Sequence, residues 1–392
     1  MELDEVLPDA RPGGATSPTN GSLPASPYAP TDPPAGGAAS AGPSPGSPPA
    51  AVATATAIAA GAMAGVASRL GLTTAFDAAH LNVTTPTGGL FPALPANVVG
   101  AALAGAASAV AAAAAVPRAV VAGIVTGGAG TLTTFASWQV GVTVAMVGPG
   151  EGGAGGWAPR VATAVTALMV GVALPLASYF AGHDAGRGVL ALVRRRRRRR
   201  WLRRACKVSH SRGSLAEEDP SGAGGGGAAE PVRGGGGAVD VDGPLRRGTD
   251  TATVGVGGLA VAGVVADVHR QTAASILFAP IGALLRWQLA SRLNPCVPSF
   301  PLGTFVANLC ATAAAAALTA VTTTGTSSLS AGWVLRAAVA GGGGGLSTVS
   351  SWVGELIAAE SRQAAWVYGT ATVGVAQAAS LLIYGILWRV RQ

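Results

Sequence analysis

The chain has 392 residues, of which 49% are hydrophobic and only 11% are charged. So little charge, together with long runs of Ala, Val, Leu and Gly, argues against a soluble domain and predicts an integral membrane protein. The formal net charge of +8 comes from one cluster, because ten positive charges fall between Arg194 and Lys207 and the remainder is slightly acidic. The three cysteines show no metal-ligand or disulfide spacing, and no catalytic triad, P-loop or carboxylate pair is visible, so we expect no enzyme.

Two stretches have compositions that do not predict a packed core. Residues 1–50 are rich in Pro, Gly, Ser and Ala and are predicted to form a disordered cytoplasmic tail without a secretory signal. Residues 183–250 combine an arginine run, an acidic patch and Gly-rich tracts, which predict a flexible linker. These two breaks divide the rest of the chain into two membrane parts.

Each membrane part contains four apolar segments of the length that a transmembrane helix needs, about 20 residues. In a first unit at residues 51–182 and a second at residues 269–392, the predicted spans are 51–72, 93–116, 119–147 and 158–181, then 273–291, 301–321, 332–357 and 364–388. A ninth, weaker candidate at residues 251–268 is short and Gly-rich. With this linking span the second unit is inverted relative to the first, and without it the two units are parallel. The predicted fold is therefore an all-α integral membrane pseudo-dimer of two homologous, inverted four-helix units with about nine spans.

The basic residues predict the orientation of the chain, because Arg/Lys-rich segments close to span ends stay cytoplasmic. The cluster from Arg194 to Arg204 places the linker inside and, four spans earlier, the N-terminal tail inside as well. The ninth span then places the C-terminus outside, although Arg389 and Arg391 mildly oppose this assignment. We expect the cluster to contact anionic lipid of the plasma membrane rather than nucleic acid.

A pair of matched stretches indicates that the two units are copies. FPLGTFVANLCATA is centred on Asn308, and FPALPANVVGAALAG holds Asn97. Each is followed by a Gly-rich turn that runs into hydroxyl residues and an aromatic, GAGTLTTFASW upstream and GGGLSTVSSW downstream. An amide in an apolar span is costly unless it serves a site, and a pair in corresponding places indicates a duplicated transport unit.

The second half carries the motifs APIGALLRW, FPLGTFVAN and GGGLSTVSSWVGE in order. They resemble the successive GxxGAxxR, FPxGTxxxN and GGxTTFSTFxxE motifs of the small four-helix fluoride channels, the Fluc or CrcB family. The first half repeats them more loosely as GVASR, an FP pair followed by Asn97, and GTLTTFASW. Two fused copies with a linking span resemble the eukaryotic fluoride exporters of the FEX type, whose bacterial relatives form antiparallel dimers. The resemblance implies a single-chain pseudo-dimer that exports fluoride passively.

The polar residues of the spans suit such an ion. Fluoride is small and strongly hydrated, so it enters low dielectric only where donors replace its water. The amides of Asn97 and Asn308 each offer two N–H donors, and hydroxyls rotate to donate. Aromatic rings present a positive edge to an anion. Neutral donors bind weakly enough to allow exit as well as entry, which conduction requires.

The resemblance further implies a third helix in each unit that is broken at its Gly-Thr motif. Backbone carbonyls opened there would hold a central, structural sodium ion between the units. The matching positions are Gly130, Thr133, Gly344 and Ser347. Irregular backbone at membrane depth is tolerated where protein, water or an ion satisfies it.

The two halves depart from the family pattern unequally. The two ring positions are Phe135 and Trp138 upstream, but Val349 and Trp352 downstream. In the fourth helix the pore tyrosine and hydroxyl of the family match Tyr368 and Thr372. The upstream counterparts, aligned through Gly171 and Gly374, are Val165 and Met169, and the glutamate kept as Glu355 is Gly141 upstream. We predict one competent pore, centred on Asn308, Tyr368 and Thr372, to which Phe135 contributes from the other unit.

Other interpretations stay open at this stage. A lone Asn in a membrane helix often serves as a hydrogen bond between helices, and Asn97 is the weaker pore candidate of the two. Arg69 and Arg286 are expected near helix ends in a structural role. An inverted-repeat carrier for another small solute should show coupling to protons or sodium, and a membrane scaffold should be indifferent to Asn308.

Overall fold

The computed structural model describes the membrane part of the chain and the helices that leave it. The described residues are 48–77, 79–86, 88–113, 116–148, 156–214, 256–323 and 329–390. All regular structure in these ranges is helical. Seven of the described segments are long and apolar enough to cross a membrane by length and composition. The chain is therefore an all-α, multi-pass membrane protein, as its composition predicts.

The first unit consists of four helical rods, of which the third is built from several pieces. Their bounds are α1 Pro48–Phe76, α2 Leu94–Ala113, α3 Arg118–Ala122, a π-helical segment Gly123–Ala129, α4 Gly130–Leu132, α5 Phe135–Val147 and α6 Trp157–Ser214. Runs of alanine favour these helices, since alanine has the highest helix propensity. Residues 1–47, most of the predicted N-terminal tail, lie outside the described ranges.

The second unit repeats this order of elements. Its bounds are α7 Val256–Leu293, a 3₁₀ turn Asn294–Cys296, α8 Leu302–Thr323, α9 Leu329–Ala338, a π-helical segment Val339–Gly343, α10 Gly344–Leu346, α11 Ser350–Ile357 and α12 Arg362–Arg389. The predicted span 332–357 is thus the broken rod α9–α11, the counterpart of α3–α5.

The break in each third rod lies just after its glycine-rich turn. Thr133 and Ser347 both leave the helix with extended backbone, at ψ 149° and 153°. Thr134 is also extended, and its hydroxyl accepts a hydrogen bond from the Ser137 N–H at the start of α5. The first N–H groups of a new helix need such a cap, so the hydroxyl residues that follow the glycines favour a restart there.

Glycines allow the first and third rods of each unit to touch through their backbones. A Cβ at Gly61 would lie 2.1 Å from the Gly123 carbonyl oxygen, and one at Gly282 would lie 1.9 Å from the Gly342 carbonyl oxygen. Such small-residue contacts hold membrane helices together where no hydrophobic force drives association. The same packing in both units supports their common origin.

The two units share one core. Helix α1 packs against α7, α5 packs against α8 and α12, and α11 packs against α2 and α6. The main buried cluster therefore draws side chains from both units, including Phe135, Trp138, Trp352 and Tyr368. A residue on the third rod of one unit consequently faces the second and fourth helices of the other.

Two predicted boundaries differ from the structure. Helix α6 does not end near residue 182 but continues to Ser214, because the arginine run contains neither Gly nor Pro to stop it. Arg194 to Arg200 are exposed along this extension. Helix α7 is continuous from Val256 to Leu293, so no turn separates the predicted linking span from the span 273–291. Residues 215–255 lie outside the described ranges.

Candidate functional site

Asn97 and Asn308 occupy equivalent places beside the two breaks. The Asn308 Oδ1 accepts from the Thr348 N–H at 2.8 Å, and its Nδ2 donates to the Thr348 carbonyl at 3.2 Å. Asn97 binds Thr134 in the same way, at 2.8 and 3.3 Å. Both side chains are fully buried. Each amide therefore holds its own third rod open, and each Nδ2 carries a second hydrogen that these bonds do not use.

The two breaks lie against each other. The Thr133 hydroxyl is 3.3 Å from the Thr348 hydroxyl and accepts from the Ser350 N–H at 3.1 Å. The Thr134 hydroxyl is 3.1 Å from that of Ser347. Buried hydroxyls thus replace the helical bonds that the breaks lose, and they do so across the boundary between the units.

Two buried arginines cross from one unit to the third rod of the other. Arg286 Nη1 donates to the carbonyls of Gly130 at 2.8 Å and Ser347 at 3.1 Å. Arg69 Nη1 donates to the carbonyls of Gly344 at 3.0 Å and Thr131 at 2.9 Å. The sequence led us to expect both arginines near helix ends in contact with solvent, but neither lies there. Both guanidinium groups lie at the centre of the molecule.

These contacts bear on the predicted sodium ion. Three of its four predicted carbonyls, those of Gly130, Gly344 and Ser347, already accept hydrogen bonds from guanidinium groups. In this arrangement the residues present do not fit a sodium ion at those carbonyls, because a cation would meet fixed positive charge there. The two arginines supply the central positive charge themselves.

The predicted ring residues form one aromatic cluster between the units. The Phe135 ring is edge-on to Trp138 at 5.3 Å and to Trp352 at 5.8 Å between centroids, and the two indoles are 6.1 Å apart. The Trp138 Nε1–H donates to the Ala167 carbonyl. The Trp352 Nε1–H is buried and has no hydrogen-bond partner among the described residues. The cluster thus leaves a donor available on the side of the second unit only.

Tyr368 belongs to a buried polar network around Glu355. The Glu355 carboxylate accepts from the Tyr368 hydroxyl at 2.6 Å, from the Thr304 hydroxyl at 2.6 Å and from Asn294 Nδ2 at 3.3 Å. The Asn294 Oδ1 in turn accepts from the N–H of Gly303 at the start of α8. The sequence analysis assigned no role to Asn294, which precedes the FPLGT motif, or to Thr304, which is the last residue of that motif.

A cavity of about 400 Å³ opens beside this network. Its lining combines hydroxyls, a carboxylate and a guanidinium, from both units: Thr126, Arg286, Asn294, Thr304, Ser351 and Glu355. A cavity of this size that contains these polar groups has room for water or a small hydrated ion. It reaches the central arginine from the end of α7.

The fourth helices of the two units, α6 and α12, do not align through Gly171 and Gly374 as the sequence predicted. In α12, Tyr368 and Thr372 are buried one turn apart. Their proposed counterparts in α6, Val165 and Met169, are 47% and 66% exposed and face away from the core. The buried positions of α6 include Ala167 instead. Gly171 and Gly374 are therefore not equivalent, since Gly171 touches the Trp138 ring and Gly374 faces open space. Like Val165 and Met169, Ala167 has no side-chain hydrogen-bond donor, so the first unit still has no counterpart of the Tyr368 and Thr372 hydroxyls.

Comparison with known proteins finds a family that the second unit resembles. Residues 273–386 match the family model described as CrcB-like protein, Camphor Resistance (CrcB). Fluoride export protein 1 of Neurospora crassa is 42% identical over 114 residues, which are 29% of this chain and 22% of that protein. Fluoride export protein 1 of Candida albicans is 39% identical over 119 residues, 28% of this chain and 30% of that protein. No solved structure matches the chain.

These matches confirm the resemblance to CrcB-type fluoride exporters that the motifs predict, and the family model places it in the second half. The chain spans less than a third of the length of the curated relatives it matches.

Proposed function

We propose that the chain is a passive, fluoride-selective channel that exports fluoride from the cytoplasm through one competent pore. The observation that carries the proposal is the buried Asn308 amide beside a broken helix, inside the segment that matches the CrcB family. An amide at that place is neutral, fully buried and able to donate one more hydrogen bond. Fluoride export by the relatives agrees with this chemistry, as their names state.

The donors of the pore come from both units. Asn308, Trp352 and Thr372 belong to the second unit, and the edge of the Phe135 ring belongs to the first. An anion that leaves water loses strong hydrogen bonds, and each neutral donor here restores part of them. Arg286 lines the cavity beside the Glu355 network and adds a positive potential there, which attracts an anion. Asn97 and Trp138 would line the second, poorer path.

An inverted arrangement of the units is supported by one hydrogen bond. Thr143 follows the break at Thr134 by nine residues, about 14 Å along α5. In the second unit, Tyr368 contacts Glu355, which follows the break at Ser347. Ser380 lies twelve residues after Tyr368, about 18 Å along α12, and is therefore on the opposite side of that break from Glu355. Units that pointed the same way would keep these hydroxyls about 20 Å apart. The two oxygens are 2.7 Å apart.

A second contact supports the same arrangement. The Tyr179 ring, late in the fourth helix of the first unit, packs against Gly354, late in the third rod of the second. With the cluster from Arg194 to Arg204 in the cytoplasm, inversion places the N-terminus inside and the C-terminus outside the plasma membrane. Inversion also requires the chain to cross the bilayer once more between Ser214 and the second unit, and the continuous helix α7 does not supply a separate crossing within residues 256–268.

The driving force needs no coupled reaction. A negative-inside membrane potential expels an anion by about 2.3 kcal/mol per 100 mV. Fluoride that enters as neutral HF ionises in the cytosol and then leaves through the channel. The network of Glu355 and Tyr368 lines the route from the cavity toward Thr372, and it holds that end of the path in shape.

The test is fluoride flux in reconstituted liposomes. Purified full-length protein is placed in vesicles loaded with potassium fluoride, and efflux is started with valinomycin and followed with a fluoride electrode. We expect rapid fluoride efflux, no efflux from vesicles loaded with chloride, and no dependence on a proton or sodium gradient. Absence of fluoride efflux from well-folded protein would overturn the proposal. Flux that requires a sodium or proton gradient would favour the carrier.

A further inference from the structure

The buried face of α12 carries a polar row with one gap. Tyr368, Thr372, Ala376 and Ser380 follow one another at intervals of four residues, and all four are buried. Three of them carry a hydroxyl, but Ala376 has no donor. An anion that moves along this row therefore loses its hydrogen bonds between Thr372 and Ser380 unless another helix supplies one.

Gln139 in α5 carries a buried side-chain amide. Its side chain is 0% exposed. Within the described residues, neither its Nε2 nor its Oε1 has a hydrogen-bond partner. Buried polar groups are almost always paired, and an unpaired one marks a place where water or an ion binds. The family motif leaves the position of Gln139 unspecified, as the residue directly after the second ring position.

Contacts between α5 and α12 place Gln139 opposite the gap. The Thr143 hydroxyl is 2.7 Å from the Ser380 hydroxyl, and Gln377 Nε2 donates to Thr143 Oγ1 at 2.8 Å. Gln139 precedes Thr143 by one helical turn, just as Ala376 precedes Ser380. In the inverted arrangement α5 and α12 run in the same direction, so Gln139 lies at the level of Ala376.

The geometry points to Gln139 as a ligand of the permeating anion, supplied by the first unit to fill the gap at Ala376. Its Nε2 would donate to fluoride as the ion passes between Thr372 and the hydroxyls of Thr143 and Ser380. Its Oε1 can accept from a water that accompanies the ion. The inference rests on the proposed function and on the inverted arrangement.

The equivalent position in the other path carries no donor. Counting from the aligned residues Trp138 and Trp352, Gln139 corresponds to Val353. Val349 and Val353 are both buried, and neither can donate a hydrogen bond. The ligand therefore exists on one side only, which agrees with a single conducting pore.

The test compares leucine at the two equivalent positions in the full-length protein. Gln139→Leu should lower fluoride efflux from liposomes at least tenfold and raise the fluoride concentration that gives half-maximal flux. Val353→Leu places the same side chain on the opposite rod and should change flux less than twofold. A Gln139→Leu protein that is folded, monodisperse and as active as wild type would overturn the inference and assign Gln139 to a buried water.

A second variant covers the case in which Gln139→Leu does not fold. Thr143→Val keeps the shape of the next residue in the row and removes its hydroxyl, so it should also weaken the fluoride dependence of flux. Unchanged flux and unchanged half-saturation in Thr143→Val would then overturn the inference. Wild-type protein without fluoride flux would refute the proposed function itself. Active wild-type protein together with fully active variants would refute only the role of Gln139.

Discussion

Replacing each pore asparagine by alanine separates its structural role from its role in transport. Asn308→Ala removes the acceptor of the Thr348 N–H and the donor to the Thr348 carbonyl, both buried. A buried N–H left without a partner costs about 1–3 kcal/mol, so we expect unfolding to become easier by about 2 kcal/mol. Asn97→Ala removes the same two bonds at nearly the same lengths and should cost the same.

Transport should distinguish the two variants. One hydrogen bond to a charged group is worth about 1.5–3 kcal/mol, which corresponds to roughly a 10- to 100-fold change in rate. We therefore expect Asn308→Ala to lower fluoride efflux by that factor and Asn97→Ala to lower it less than threefold. Thermal unfolding followed by intrinsic fluorescence, with flux from the same preparations, measures both effects.

The result that would refute this reasoning is a reversal. Loss of flux in Asn97→Ala with normal flux in Asn308→Ala would place the conducting path in the other half of the molecule. Equal losses of flux that track equal losses of stability would reduce both amides to supports for the broken rods.

Three further outcomes are expected. Gly171→Ala should lower the unfolding temperature, because its Cβ would lie 2.2 Å from the Trp138 ring, whereas Gly374→Ala meets open space and should be neutral; thermal melts of the two proteins decide this. Tyr368→Phe removes the buried 2.6 Å hydrogen bond to Glu355, worth about 1 kcal/mol, and should lower fluoride efflux roughly fivefold, whereas unchanged flux would show that this network has no role in transport. Replacing all sodium with potassium should leave the unfolding temperature unchanged, because arginines already bind the central carbonyls, and a sodium-dependent melt would restore the predicted ion.

Much of this architecture could be read from the sequence. Apolar length located seven of the nine predicted spans, and the duplicated motif located both broken rods. The pairing of Asn97 and Asn308 with equivalent breaks also follows the repeat. These features depend on local composition and on one motif, which a single chain displays directly.

The remaining features depend on distance in space rather than on pattern. Arg69 and Arg286 looked like helix-end residues, because an arginine in an apolar helix is usually placed at the interface. Their partners are carbonyls of the other unit, which no local pattern reveals. Counting from matched glycines misplaced Val165, since small residues recur too often in this chain to fix a helical register.

The crossing of α5 into the second half has a practical consequence. Under the proposed function the N-terminal half is more than a spare copy, because Phe135 at the start of α5 packs against Trp352 of the second half. Separate production of the two halves should yield two inert fragments, and activity should return only when they reassemble. In the proposed pore each half therefore supplies groups that the other half lacks, and neither half is sufficient alone.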